Sequence, residues 1–147
     1  MKILMSIKPQ FVEKIRRGEK KFEFRRVLPS HKEIDTIIVY ASRPIGMVVG
    51  EITAAGYLTL TVDEMWEATK DISGLTREEF FSYFHDKENA HAIAIESYRD
   101  YEQPIPLDVL IPGKTPPQSY CYLNGYEEWR ASYTSRLFLF NFANKNK

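Results

Sequence analysis

One cysteine in 147 residues, Cys121, excludes an internal disulfide and fits a reducing compartment. Three histidines, His31, His85 and His91, stand far apart, and no ligand spacing joins them to Cys121, so no metal site is expected. No apolar run approaches the roughly 18 residues that suggest a membrane span. Met1 to Ile7 is a short apolar stretch ended by Lys8-Pro9, without the pattern of a secretory leader. A cytoplasmic chain with no membrane association and no cofactor is therefore expected. Repeats are also missing, and no linker separates a second domain. The whole of 1–147 reads as one domain, with a core over about 1–110 and an extension over 111–147.

A formal net charge of zero hides an asymmetry. Residues 1–32 carry ten Lys or Arg and three Glu, whereas the rest carry ten basic and seventeen acidic side chains. The first segment is thus +7 and the remainder −7. Such a segment either docks an anionic partner or is neutralised within the fold. No basic recognition helix of a helix-turn-helix is visible, which argues against duplex DNA.

The elements alternate between sheet and helix. Ile3–Ile7 reads as a strand. Pro9 opens a helix carrying the apolar stripe Phe11, Val12 and Ile15, and Gly18 ends it. Lys21–Arg26 alternates: Phe22 and Phe24 share one face, Lys21, Glu23 and Arg25 the other. The row is either a solvated outer face or a binding row fixed on a packed strand. Thr36–Ala41 and Met47–Ala54 are further strands. Thr61-x-x-Glu64 and Thr76-x-x-Glu79 predict capping boxes that open helices over about 62–70 and 77–84. The second presents Phe80, Phe81 and Phe84. Ala90–Tyr98 is another strand, on which His91 either lines a pocket or is an ordinary strand residue. A proline-rich connector follows, anchored by Leu107, Val109, Leu110 and Ile111. A short helix over 125–133 and a terminal strand over 136–142 complete the expectation.

Gly18, Lys20, Glu23 and Arg25 fit G-x-K-x-x-E-x-R. That spacing resembles the motif of the ASCH domain, a member of the PUA-like superfamily. The opening strand MKILMSIK, the strand Val48-Val49-Gly50-Glu51 and the segment Pro116 to Leu123 (PPQSYCYL) agree with it in order. The resemblance covers about residues 1–125. It implies an α+β fold: a small mixed PUA-like β-barrel of about five to seven strands, with a helical insertion and short flanking helices. It also implies a cleft between the motif strand and the insertion, and an RNA or a nucleotide-like small molecule as partner, in RNA metabolism or regulation of transcription or translation.

The ligand-binding candidates are Lys8, Lys20, Lys21, Glu23, Arg25, Arg26, Ser42, Gln118, Ser119 and Tyr120. Arginine offers planar bidentate contacts to phosphate or carbonyl oxygens, and lysine a point charge. Glu23 accepts from an exocyclic amine or ring N–H, or simply holds Arg25. Gln118-Ser119-Tyr120 either reads a base edge and stacks on its face or plugs the end of the barrel.

An enzymatic alternative comes with the resemblance. Some small ASCH proteins are amidohydrolases of N4-acetylcytidine, with a threonine nucleophile, an activating lysine and an assisting glutamate from the insertion. This chain keeps the lysine as Lys20 and has Glu23 where the threonine would stand. A carboxylate cannot replace that hydroxyl, so Lys20 and Glu23 are catalytic candidates only if the chain is an enzyme, with Glu23 as general base for a water. For the assisting glutamate the insertion offers Glu67 and Asp71, neither of which aligns with it. Ribonuclease activity is a further possibility within the family.

Overall fold

The computed structural model describes residues 1–29, 34–123 and 125. A six-stranded sheet curls into a half-barrel with a few short helices packed on it. The strands are β1 (Lys2–Ile7), β2 (Phe22–Arg25), β3 (Thr36–Ala41), β4 (Met47–Thr61), β5 (Asn89–Ile105) and β6 (Tyr120–Tyr122). The helices are α1 (Pro9–Arg16), α2 (Val62–Thr69), α3 (Arg77–Tyr83) and α4 (Leu107–Leu110), with a 3₁₀ turn over Lys70–Ile72. Spatial order is β2-β5-β4-β3-β1-β6. β1 pairs with β3 in parallel, and every other pairing is antiparallel.

The apolar runs of β1 and β3 follow from burial on both faces of the sheet. Ile3, Met5 and Ile7 point to the side packed by Val12 and Ile15 of α1. Leu4 points to the other, with Leu107, Leu110 and Leu123. A third cluster joins Phe24 of β2 to Met65 of α2, and to Phe80 and Phe84 on and just beyond α3. Phe24 meets Phe80 edge-on at 5.3 Å between ring centres. The aromatic spacing on α3 thus builds the core that seats the insertion, each buried ring contributing about 1.5–3 kcal/mol.

Two strands run well beyond their sequence-based limits. β4 continues past Ala54 to Thr61, and β5 past Tyr98 to Ile105. Each is the other's partner along almost its whole length, with register shifts that curl the pair. Paired backbone sustains the strands where exposed polar residues read as loop. Part of the proline-rich connector is accordingly strand or helix, and within α4 Val109 is 41% exposed rather than an anchor. The expected helix over 125–133 and strand over 136–142 lie outside the described residues.

The caps follow the sequence. Gly18 takes φ +76° just past α1, and its N–H donates to Ile15 O. At α3 the Thr76–Glu79 box closes in both directions, at 2.9 and 3.1 Å. At α2 Thr61 accepts from the Glu64 N–H, and the Glu64 carboxylate does not close the box by accepting from the Thr61 N–H. Thr76→Ala is expected to cost about 1 kcal/mol in urea unfolding, because the Glu79 N–H loses its side-chain acceptor.

Candidate functional site

The turn after α1 is sewn to the insertion before β2 begins. Lys21 N–H donates to Ile72 O at 2.8 Å, and Lys20 forms an isolated bridge with Ser73. This fixes Lys20 with only 3% of its surface exposed. Its Nζ donates to Ser73 O at 3.1 Å and sits 4.8 Å from the Phe24 ring centre and 5.4 Å from that of Phe11. Burial pushes the Lys20 pKa below the ordinary lysine value, and the nearby Glu23 carboxylate offsets part of that.

The alternation of β2 sends Glu23 and Arg25 to the same side. Each is 9% exposed, and Arg25 Nη2 lies 3.1 Å from Glu23 Oε1. Arg25 Nη1 donates to Ser119 Oγ at 2.8 Å, tying β2 to the segment before β6. That segment is also held to β1, where Ser6 Oγ donates to Pro117 O at 2.6 Å. Arg25 Nε is buried without a hydrogen-bond partner. Glu23 Oε2 has no partner among the described residues.

These side chains line a cleft of about 690 Å³, within the roughly 300–1,000 Å³ usual for small-ligand sites. β1 and the start of α1 give Ser6, Lys8 and Phe11. β3 and the following turn give Tyr40, Ser42 and Arg43. The insertion gives Leu75, Glu79, Ser82 and Tyr83. Tyr83 O–H also donates to Phe24 O at 3.2 Å, so α3 is bonded to the motif strand.

Of the ten sequence candidates, Lys8, Lys20, Glu23, Arg25, Ser42 and Gln118 line this cleft. Ser119 reaches it through Arg25. The other three stand elsewhere. Lys21 is exposed and does not line it. Arg26 donates to Tyr83 O, His85 O and Asp86, clamping the end of α3. Tyr120 pairs with Met5 and packs against the core beneath β1. His91 is hydrogen-bonded to Thr59 and does not line the cleft, although it pairs with Arg25 across the sheet.

The acidic group that the insertion brings to the cleft is Glu79; Glu67 and Asp71 do not line it. Glu67 instead pairs with Lys70. The Thr76–Glu79 motif hid this because its sequence meaning is a helix cap. Arg43 was missed beside Ser42 because it reads as a turn residue. Tyr40 was missed because it ends an apolar run. Among the described residues no group of three or more His, Cys, Asp or Glu could hold a metal ion. No helix there is long and apolar enough to cross a membrane.

A sequence model of the ASCH domain matches residues 5–131. An ASCH domain-containing ribonuclease of Zymomonas mobilis is 29% identical over 127 residues, spanning 84% of this chain and 85% of that protein. A crystal structure of ASCH from Zymomonas mobilis superposes with a TM-score of 0.79 at 26% identity, covering 90% of this chain and 94% of that one. The N-terminal domain of Staphylothermus marinus McrB shares the fold, with a TM-score of 0.57 at 13% identity over 90% of this chain and 93% of that one.

Proposed function

This chain belongs to the ASCH domain family, and on that premise we propose that it binds single-stranded RNA, seating one nucleotide in the cleft of Lys20, Glu23 and Arg25. The observation that carries the reading is the Lys20–Glu23–Arg25 row itself. Three charged residues are each at least nine-tenths buried, yet they line an open cleft of about 690 Å³. Keeping such groups out of water is costly unless they are paired and hydrogen-bonded. Here Glu23 keeps an open oxygen and Lys20 has one hydrogen-bond acceptor for three N–H donors. A polar ligand completes the set. Unpaired RNA offers one, since its bases can be splayed into a pocket while its phosphates stay outside. A role in RNA metabolism or in control of gene expression, in the cytoplasm, follows from this reading.

Fluorescence anisotropy with a labelled single-stranded hexamer tests it. Affinity is expected to fall as salt rises, because cations at the rim displace condensed counterions. Affinity is also expected to fall with rising pH below the ordinary lysine value of 10.5, because burial lowers the Lys20 pKa and deprotonation removes its charge. A Lys20→Arg variant should lose that pH dependence. Undetectable binding at low salt sinks the proposal.

A second reading, hydrolysis of the bound RNA, is favoured by the ribonuclease name of the Zymomonas mobilis relative. Lys20 and Glu23 are then the acid–base candidates, since a lysine with a lowered pKa gives up its proton more readily near neutrality. Gel analysis of labelled RNA separates the two readings. Fragments made by the wild type and not by Lys20→Ala establish an enzyme, and intact RNA leaves a binding protein.

A further inference from the structure

We propose that Lys20 is a carbonyl-reactive amine, and that the cleft takes up a small anionic aldehyde as an imine on its Nζ. The inference goes beyond RNA binding and does not depend on it.

Lys20 is the one buried lysine among the described residues. Its Nζ stands 4.8 Å from the Phe24 ring centre and 5.4 Å from that of Phe11, and it donates to Ser73 O at 3.1 Å. Two rings and a backbone carbonyl thus take the places that water fills around an exposed lysine. The same residue lines a cleft of small-ligand size. Desolvation makes a lysine nucleophilic, because only the uncharged nitrogen has a free electron pair. Burial favours that form, and the charges of Arg25 and Lys14 push the same way, whereas Glu23 and Glu79 oppose it. The net direction is toward the free amine. Lys8, in the same lining, is exposed and fully open to water, so it serves as the reference amine.

The step balances with the groups at hand. The Nζ electron pair forms a bond to the carbonyl carbon, and the π pair of the C=O moves to the oxygen. Glu23 lines the same cleft with an oxygen free of partners among the described residues, and it carries one nitrogen proton to that oxygen. A carbinolamine results. The second nitrogen proton follows by the same route as the C–O bond breaks, so the oxygen leaves as water and C=N remains. No electron is gained or lost. An imine that takes up a proton still has one N–H for Ser73 O, and its charge again meets the two rings.

The lining sets the class of ligand. With Lys20 uncharged it still carries Lys8, Arg25 and Arg43 against Glu23 and Glu79, which favours an anion. Lys8 and Arg43 are exposed and have no ion pair among the described residues, so they are open to the ligand's charge. Phe11 and Phe24 crowd Nζ, which suits an aldehyde better than a bulkier ketone. Phe11 and Tyr83 are incompletely buried in the lining, so a planar aldehyde has rings to lie against.

Pyridoxal 5′-phosphate is the probe. It is added to the full chain at neutral pH, and borohydride then reduces any imine to a stable secondary amine. Peptide mapping by mass spectrometry reads the label at each lysine. Lys20 is expected to carry most of it, ahead of the exposed Lys8. Pyridoxal, which lacks the phosphate, should label Lys20 about 10-fold less. Raising the pH toward the ordinary lysine value of 10.5 should spread label to the exposed lysines as they lose their protons. Lys20→Arg keeps the charge, removes the reactive amine and should lose most of the label. Thermal unfolding reports whether that variant is folded, and the wild-type map decides the matter without it.

Label spread over the exposed lysines at neutral pH, with Lys20 unmodified, would overturn the proposal. Equal labelling of Lys20 by pyridoxal and its phosphate would overturn the anionic class of the ligand.

Discussion

Arg25→Ala is expected to lower RNA affinity by about 100-fold and to lower stability by about 2–3 kcal/mol. The Arg25 guanidinium joins three parts of the site. It faces Glu23 on its own strand, bonds Ser119 on the segment before β6, and lines the cleft floor. Removing it leaves the nearly buried Glu23 without its ion-pair partner and takes away the Ser119 bond of the segment that carries Gln118 toward the cleft. The stability figure lies below the usual cost of breaking a buried pair because the cleft lets water reach the carboxylate. Arg25→Lys is the informative companion. It keeps the charge and loses the planar fork, so it cannot serve Glu23 and Ser119 together, and about a tenfold loss of affinity is expected. Anisotropy gives the first quantity and urea unfolding the second. Equal affinity in all three proteins would remove Arg25 from the site.

Gly74→Ala is expected to cost about 2–4 kcal/mol and to weaken RNA binding, although residue 74 does not line the cleft. Its φ is +73°, a region that alanine enters only with strain. A Cβ there would stand 2.6 Å from Lys20 Cβ and 2.8 Å from Lys20 Cγ. Those atoms belong to the root of the side chain, so Lys20 cannot step aside without leaving its bridge to Ser73. The Gly74 carbonyl also accepts from Lys14 Nζ at 2.8 Å, so a shift there disturbs α1 as well. Gly113→Ala is the control. Its φ is +76° with nothing within 4 Å of the added carbon. It bears the backbone strain alone, about 1–2 kcal/mol, with no effect on binding. The difference between the two variants measures the contact with Lys20.

The sequence carried the fold wherever local chemistry decides it. Pro9 and Gly18 bound α1, Thr76 and Glu79 open α3, and the alternation of 22–25 sets Phe24 against Glu23 and Arg25. What it could not carry was set by partners distant in the chain. The second halves of β4 and β5 look like loop until they face one another. Lys21 and Arg26 look like equals of Arg25, but Arg26 is drawn to the carbonyls that end α3, some 57 residues away. Glu79 and Arg43 have ordinary local roles as cap and turn, and only the folding of α3 and the β3–β4 turn around one cleft gives them another. Lys20 is the reverse case: its place in the motif marked it, while its burial between Phe11, Phe24 and Ser73 depends on the insertion.

The central claim is that RNA occupies this cleft, and amide chemical-shift mapping tests it most directly. A single-stranded hexamer titrated into isotope-labelled protein is expected to shift residues of four separate segments together: 6–8 and 11, 20–25, 40–43 and 79–83. Shifts confined to residues outside the cleft lining, around Arg16, Tyr98 and Asp100, or no shifts at a concentration that saturates other single-strand binders, would contradict the account.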